Sequence, residues 1–436
     1  MINRAFFTYR YRGHKVQLRV EPAGMGALVV DAQRVAYLNL TAAVYAKILL
    51  EGGGWEDAFR ELRRYMRGVK KDVVRRDYEE VADKIARFIE TDEDPVTDLG
   101  FKKSFPDPEA LGAPFRVDLA ITYACNNQCI HCYSSSPKDR EEISTEDWKT
   151  ILRRFHELGV PQATFTGGEP TLREDLPELV AEAQELGMVS GIVTNGRLID
   201  EQLAGRLVRA GLDFAQVTLE SSDPKIHDSI TGVSGSWKET ISGLKNLLEY
   251  DLYVTVNATL MKRNIDTIES LVRLVADLGV DGFSLNRLIY SGRGKDLLDL
   301  EPPFERTKVL LAEIKELTTE LDLDFTWYGV TRYCELDPME MGLGPKFCSA
   351  CSISIAVEPD GSVIPCQSHY KVIGNMLKDS WERIWYSPEC YNIRRVGYAG
   401  SACLNCAFFD LCRGGCPLEA EVRPYPENPP EVVRDI

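Results

Sequence analysis

The chain has 436 residues, 44% of them apolar and 27% charged, and its formal net charge is −16. This length allows two or three domains with cores of their own, and the composition is that of a globular protein. The acidic balance argues against nucleic-acid binding, and the lack of a ~20-residue apolar run or a signal-peptide core argues against a membrane, so the expected location is cytoplasmic.

Residues 1–92 predict a small winged-helix-like domain. Strand-like text comes first, and helices are predicted at 42–50, with Thr41 as the N-cap, at 55–66 and at 78–89. This segment has 17 Lys and Arg against 13 Asp and Glu, a net charge of +4, whereas the rest of the chain carries −20. Such a basic lobe can receive an acidic peptide, or it is a solvated face.

Residues 93–114 are predicted to be a linker, because prolines recur along them. These are Pro95, Pro106, Pro108 and Pro114.

Residues 115–325 alternate between strand and helix patterns, which predicts an α/β fold, a partial (β/α)6 TIM-type barrel. Strands are predicted at 116–123, 162–166, 190–194, 214–219, 253–260 and 282–289. Helices are predicted at 145–158, 174–187, 200–210, 236–249, 265–279 and 304–321. In such barrels the functional loops follow the C-terminal ends of the strands.

Three cysteines with CxxxCxxC spacing, Cys125, Cys129 and Cys132, follow the first barrel strand. Three thiolates hold three irons of a 4Fe–4S cube and leave the fourth iron open to a chelating ligand. A structural zinc site, the alternative, needs four ligands and normally two CxxC pairs. The segment 167–170, Gly-Gly-Glu-Pro, follows the next strand. Its glycines let backbone carbonyls approach a ligand's ammonium group, and its proline stiffens the exit.

Together these motifs, over about 115–300, resemble the radical S-adenosylmethionine (radical SAM) superfamily. The resemblance implies that the three cysteines bind the cluster, that its open iron chelates the methionyl amine and carboxylate of S-adenosylmethionine, and that reduction yields a 5′-deoxyadenosyl radical. It implies these cofactor contacts: Tyr133 beside adenine; Gly167, Gly168 and Glu169 at the methionyl ammonium; Thr194, Glu220 and Asn257 at the ribose or carboxylate; and Arg293 of a Gly-Arg pair. The last four can equally be cap or turn residues, and no catalytic acid or base is identified.

Residues 326–436 predict a cysteine-rich iron–sulfur domain, because nine of the twelve cysteines lie between Cys334 and Cys416. Small domains of this composition are usually stabilised by metal rather than by a large core. The spacing of these cysteines resembles a SPASM domain, which carries two auxiliary 4Fe–4S clusters. The resemblance implies a first auxiliary cluster on Cys348, Cys351, Cys366 and Cys416, and a second that begins with Cys403, Cys406 and Cys412.

The chain departs from the SPASM pattern, because no cysteine follows Cys416. The fourth ligand of the second auxiliary cluster therefore stays open, as does a zinc ribbon on the last four cysteines. The candidates for that ligand are Cys334, Cys390, a carboxylate such as Glu419 or Glu421, and no ligand at all. Both spare cysteines can also be small buried apolar residues.

A second departure is Gln367, directly after Cys366. The sulfatase-maturing branch of the superfamily has an aspartate base at this point, and glutamine cannot take a proton. That specific activity is therefore disfavoured.

Residues 29–90 resemble a recognition element for ribosomally synthesised and post-translationally modified peptides, which captures a leader peptide as an added strand. The sequence thus predicts a radical SAM/SPASM maturase that forms a thioether or carbon–carbon cross-link in a precursor peptide, with ferredoxin or flavodoxin as electron donor. One alternative is the same chemistry on a small molecule, a tetrapyrrole or cofactor precursor, or a partner metalloenzyme. Another is a non-catalytic iron–sulfur electron carrier, which would not need the Gly-Gly-Glu-Pro segment.

Overall fold

The structure is a computed structural model that describes residues 5–21, 24–31, 34–91, 99, 108–134 and 141–425. Pro95 and Pro106 of the predicted linker lie outside these residues. Within the described ranges, no helix has both the length and the apolar character needed to cross a bilayer.

The N-terminal part forms a four-stranded antiparallel sheet followed by three helices. The strands, in sheet order, are β1 (Ala5–Tyr11), β2 (His14–Val20), β3 (Gly26–Val30) and β4 (Arg34–Leu38). The helices are α1 (Leu40–Leu50), α2 (Trp55–Tyr65) and α3 (Lys71–Glu90). The N-cap of α1 is Asn39, whose Oδ1 accepts a hydrogen bond from Ala42 N, so the prediction of Thr41 was wrong: Thr41 already lies inside the helix.

The strand β2 is buried on both faces. Val16, Leu18 and Val20 pack into an apolar core with α1 and α3. Alternate residues point the opposite way, and there Gln17 Nε2 donates to the carbonyls of Pro161 (3.0 Å) and Gly187 (2.9 Å). These bonds explain why one compact unit of the fold combines residues 1–116 with 152–163 and 183–189.

The predicted barrel strands and helices are all present, with ends shifted by three residues at most. The strands are β5 (Arg116–Thr122), β6 (Gln162–Gly167), β7 (Val189–Thr194), β8 (Phe214–Thr218), β9 (Tyr253–Thr259), β10 (Gly282–Asn286) and β11 (Asp324–Trp327). The helices are α4 (Thr145–Glu157), α5 (Leu176–Glu185), α6 (Glu201–Ala210), α7 (Pro224–Thr231), α8 (Ser236–Leu248), α9 (Ile268–Leu278) and α10 (Phe304–Glu320). The strands from β7 to β11 pair in parallel, which confirms the partial-barrel prediction; α7 and β11 were not predicted.

The C-terminal part consists of short elements. The strands β12 (Ser354–Val357), β13 (Ser362–Ile364) and β14 (Gly374–Asn375) pair antiparallel and extend a ten-stranded sheet of order β11-β10-β9-β8-β7-β6-β5-β12-β13-β14. The helices are α11 (Trp381–Trp385), α12 (Pro388–Arg394), α13 (Ser401–Leu404), α14 (Phe409–Cys412) and α15 (Pro417–Val422). A second compact unit combines residues 117–151, 164–182 and 190–436, and it contains every predicted site residue.

Candidate cofactor and cluster site

Residues 124–133, the cysteine loop, lie at the C-terminal end of β5 and are anchored by backbone hydrogen bonds. The N–H groups of Gln128 and Ile130 donate to the carbonyls of Thr231 (2.8 Å) and Ile230 (2.9 Å), at the end of α7. Arg197 Nη1 donates to the Asn126 carbonyl at 2.6 Å. The helix that the sequence did not predict therefore fixes the loop that carries the three cysteines.

The Gly-Gly-Glu-Pro segment packs directly on the start of the cysteine loop. Gly168 N donates to Thr122 O (2.8 Å), and Glu169 N donates to Ala124 O (2.9 Å). A Cβ on Gly168 would lie 2.2 Å from Ala124 O, and Gly167 has φ +126° with its Cβ position 2.1 Å from Thr122 O. Both positions accept only glycine. The close approach seen here is to the chain's own backbone, and the approach of this segment to a ligand's ammonium group stays a prediction.

The carboxylate of Glu169 is buried and accepts hydrogen bonds on both oxygens. Oε1 accepts from the hydroxyls of Thr171 (2.5 Å) and Thr194 (2.7 Å), and Oε2 accepts from Asn195 N (2.7 Å). Burial raises the pKa of Glu169, and these hydrogen bonds oppose that rise. The side chains of Glu169 and Thr194, both predicted to touch the cofactor, thus tie the end of β6 to the end of β7.

Glu220 lies just beyond β8 and reaches the cysteine loop. Its Oε2 accepts from Thr259 N (2.9 Å), and its Oε1 is 3.2 Å from Nε2 of His131, which lies between two of the cysteines. His131 was not singled out from the sequence, because a lone histidine in a loop carries no signal of its partner. Asn257 lies inside β9 rather than at its end, and its Oδ1 accepts from Ser284 Oγ (3.2 Å).

Arg293 also contacts the cysteine loop. Its backbone N–H donates to Cys132 O (3.0 Å), and its Nε donates to Cys129 O (2.8 Å). A Cβ on Gly294 would lie 3.2 Å from His131 O, so this neighbour too packs against the loop. The residue predicted for the cofactor therefore braces the loop from the side of β10.

Two tyrosines join the cysteine loop to the cysteine-rich segment. Tyr133 Oη donates to Gln367 Oε1 (2.9 Å), and Tyr123 Oη donates to Glu358 Oε1 (2.9 Å). Tyr370 packs edge-on against Tyr123, with ring centroids 6.5 Å apart. Aromatic side chains thus line the path from Cys132 towards Cys366.

The three loop thiols are close enough to influence one another. Burial raises the pKa of Cys129, and the Glu220 carboxylate and the thiols of Cys132 and Cys125 raise it further. Asn127 N donates to Cys125 Sγ at 3.4 Å. In the described part of the chain, no three His, Cys, Asp or Glu side chains converge on one metal ion. A 4Fe–4S cube takes one thiolate on each iron, so its ligands need not converge on a single ion. Three cysteines on one short loop, with a backbone N–H donated to the sulfur of Cys125, fit such a cluster.

The first predicted auxiliary group is brought together only in part. Burial raises the pKa of Cys348, and the thiols of Cys416 and Cys366 raise it further, which places these three near one another. Backbone N–H groups also point at the sulfurs of Cys366 and Cys416, as they do in thiolate clusters. Cys351, the predicted fourth member, is instead joined in a disulfide to Cys390, and a disulfide sulfur cannot act as a thiolate ligand.

The remaining predicted ligands lie in short helices near the C-terminus. Cys403 is in α13, Cys412 ends α14, and Cys406 lies between them. The alternative carboxylate Glu419 is buried, with its two oxygens each 3.1 Å from the Arg287 guanidinium. Glu419 is therefore engaged in an ion pair.

Comparison with protein families finds two matches. Residues 119–275 match the radical SAM superfamily, and residues 348–407 match the SPASM iron–sulfur cluster-binding domain. The first match contains the cysteine loop and the Gly-Gly-Glu-Pro segment. The second contains Cys348, Cys351, Cys366, Cys403 and Cys406.

Among characterised proteins, the chain is 30% identical to the PqqA peptide cyclase of Rhodopseudomonas palustris over 336 residues, 73% of this chain and 86% of that enzyme. It is 31% identical to the mycofactocin maturase MftC of Mycolicibacterium smegmatis over 315 residues, 70% of this chain and 79% of the relative.

Among solved structures, Streptococcus suis SuiB bound to S-adenosylmethionine matches with a TM-score of 0.69 at 20% identity, over 95% of this chain and 96% of SuiB. SuiB bound to its precursor peptide SuiA matches equally well, at 19% identity over 94% of this chain and 98% of SuiB. At this identity the likeness shows the fold alone.

Proposed function

The chain belongs to the radical SAM superfamily, in the branch with a C-terminal SPASM domain, and we propose that it matures a ribosomally made precursor peptide. It is a radical SAM enzyme whose cofactors are S-adenosylmethionine and 4Fe–4S clusters. The observation that carries the peptide assignment is the 30% identity that extends over 86% of a peptide cyclase.

At the barrel, Cys125, Cys129 and Cys132 would hold the cluster, with Tyr133 and the Gly-Gly-Glu-Pro segment at the S-adenosylmethionine beside it. When bound, these groups supply reductive cleavage of S-adenosylmethionine and a 5′-deoxyadenosyl radical. The chain's own residues position these groups. Glu169 fixes the Gly-Gly-Glu-Pro turn to the end of β7, and Glu220 and Arg293 contact the cysteine loop from beyond β8 and β10. The cluster and S-adenosylmethionine would therefore be bound in fixed relative positions, with no rearrangement of the loop.

The cysteine-rich domain would remove the second electron. A cross-link takes two hydrogen atoms from the peptide: one goes to the deoxyadenosyl radical, and the other leaves as a proton while its electron passes to an acceptor. An auxiliary cluster at Cys366 is the proposed acceptor, and the support for it is that Tyr133 of the cysteine loop donates a hydrogen bond to Gln367, the neighbour of Cys366. Ferredoxin or flavodoxin is the proposed source of the first electron, in the reducing cytoplasm where free thiols persist.

The N-terminal domain, residues 1–92, is proposed to bind the leader peptide. Its four-stranded sheet has two edge strands, β1 and β4, and an edge strand offers unpaired N–H and C=O groups to an extended peptide. The basic charge of this segment favours an acidic leader.

The test combines the reconstituted enzyme with dithionite, S-adenosylmethionine and synthetic short peptides encoded beside its gene. We expect 5′-deoxyadenosine together with a peptide that has lost two hydrogen atoms by mass spectrometry. Failure to form 5′-deoxyadenosine would contradict the cofactor site. Formation of 5′-deoxyadenosine with a small molecule but with no peptide would contradict the substrate class.

A further inference from the structure

The turn Thr331–Leu336 lies near the start of the cysteine-rich domain and carries Cys334. The N–H groups of Glu335 and Leu336 donate to Arg332 O at 2.9 and 3.0 Å. Thr331 Oγ1 donates to Leu336 O at 2.8 Å and closes the turn. These three hydrogen bonds fix the backbone on both sides of Cys334.

This turn packs on the last cysteine group. Tyr333 N donates to Cys412 Sγ at 3.4 Å. A Cβ on Gly415 would lie 3.5 Å from Arg332 N and 3.6 Å from Thr331 C, so the backbones of the two segments approach closely. Tyr333 directly precedes Cys334, and neighbouring Cα atoms are only ~3.8 Å apart. Cys334 is therefore the next residue after the one whose N–H contacts the Cys412 sulfur.

The three predicted ligands of the second cluster lie in one short segment, with Cys403 in α13, Cys406 just after it and Cys412 at the end of α14. The contact of Tyr333 N with the Cys412 sulfur therefore brings the turn that carries Cys334 to this segment.

Two other candidates for the fourth ligand have partners elsewhere. Cys390 lies beside Cys351, to which it is joined, and Glu419 pairs with Arg287. Among Cys334, Cys390 and Glu419, Cys334 is the candidate whose turn contacts a sulfur of this group.

We propose that Cys334 is the fourth ligand of the second auxiliary cluster and completes it together with Cys403, Cys406 and Cys412. The inference rests on the proposed function, in that it assumes a second cluster in this domain. A cluster with four protein thiolates has no iron open to substrate. The second auxiliary cluster would therefore relay electrons, and it would not bind the peptide.

The test measures iron and sulfide content, EPR and Mössbauer spectra of anaerobically reconstituted full-length protein. Wild type should hold about twelve irons, as three cubanes. Cys334→Ser and Cys403→Ser should each lose about four irons, or show a 3Fe–4S EPR signal after oxidation. The double variant should lose no more than either single variant, because both residues serve the same cluster. Cys390→Ser is the matched control and should keep the wild-type iron content.

Two further measurements distinguish loss of a cluster ligand from misfolding, and distinguish failure of this inference from failure of the proposed function. Cys334→Asp, which supplies a carboxylate, should keep more iron than Cys334→Ser and shift the EPR signal of one cluster. The EPR signal of the cluster on the cysteine loop, and its change when S-adenosylmethionine binds, should stay as in wild type in Cys334→Ser, because both depend on the cysteine loop.

If Cys334→Ser keeps the iron content and spectra of wild type while Cys403→Ser loses iron, Cys334 is not a ligand. That result would leave the second cluster itself in place. Zinc in place of iron at this group, or wild-type protein with about eight irons that Cys403→Ser does not lower, would overturn the second cluster itself.

Discussion

The hydroxyl of Tyr133 donates a hydrogen bond to Oε1 of Gln367 across 2.9 Å. Tyr133 directly follows the last cysteine of the cysteine loop, and Gln367 directly follows Cys366. Gln367 stands where the sulfatase-maturing branch has an aspartate base. In this chain its side chain accepts a hydrogen bond from Tyr133, the residue expected beside adenine. In this chain the pair links the two cysteine groups, and a glutamine can accept this bond without carrying charge.

Tyr133→Phe removes this hydrogen bond and leaves Gln367 Oε1 without its donor. A buried neutral bond contributes about 1 kcal/mol, so we expect a change of roughly fivefold. The effect should fall on coupling: the ratio of modified peptide to 5′-deoxyadenosine should drop, while cleavage of S-adenosylmethionine continues. Tyr386→Phe, at a half-exposed ring, is the control. An unchanged ratio in Tyr133→Phe would contradict a linking role.

Gly168→Ala places a Cβ 2.2 Å from the carbonyl of Ala124. Because that neighbour is backbone, the cysteine loop must shift, at a cost of about 1–3 kcal/mol in unfolding free energy. We expect a loss of about four of the bound irons and of S-adenosylmethionine binding by equilibrium dialysis. Gly54→Ala, where the nearest atom to the added Cβ is a carboxylate oxygen at 3.4 Å, should leave both unchanged.

Asp228 makes the stability of the loop anchor depend on pH. Burial raises its pKa, but hydrogen bonds from Trp237 N, Gly235 N and Ser236 Oγ outweigh burial and hold the pKa below its usual value. Since the folded-state pKa is lower than the unfolded one, the stabilisation is complete above about pH 4 and is lost as the pH falls through the folded pKa. Asp228 lies within α7, and its carboxylate accepts hydrogen bonds from the first residues of α8, so acid should loosen the helix that anchors the cysteine loop.

The measurement is the unfolding free energy of wild type and Asp228→Asn at a series of pH values. Near neutral pH the variant should be less stable by about 1–2 kcal/mol. The difference should shrink as the pH falls below about 4. A difference that stays constant with pH would contradict the assignment to Asp228.

Cys351 is where the sequence pattern and the structure differ most clearly. The pattern predicts a cluster ligand, whereas the structure pairs it with Cys390. Radical SAM chemistry requires reducing conditions, which open a disulfide, so we expect Cys351 to ligate the first auxiliary cluster in the reduced enzyme. Cys351→Ser should then lose iron and Cys390→Ser should not, by iron analysis after anaerobic reconstitution. Full iron content in both variants would mean that Cys351 is not a ligand.

Elements of the barrel followed from periodicity. The alternation of apolar strands and amphipathic helices placed each predicted barrel element within three residues, because side-chain period and turn chemistry are local, but it missed α7 and β11. The missed helix α7 is only eight residues long and begins at Pro224, too short for a helical period to stand out. Asn39 rather than Thr41 caps α1, because two cap-forming residues on either side of Leu40 leave the choice to the backbone.

The roles of individual site residues were harder to foresee. The motif around Gly167 and Gly168 was correctly placed beside the cysteine loop, but its glycines are required by contact with the chain's own carbonyls. Glu169, Glu220 and Arg293 all reach this region, yet their visible contacts hold the loop and the strand ends. These residues and their partners lie 25 to 164 positions apart in the chain, and sequence spacing does not specify such pairs.

By itself, the sequence determined the barrel, the cysteine loop and its family, because each depends on local spacing and period. The tertiary structure alone decided that Cys351 meets Cys390 and that the turn carrying Cys334 meets Cys412. The physical reason is that a thiol's partners are set by how distant segments pack, and the turn at Cys334 is held against α14 by contacts that no spacing of cysteines encodes.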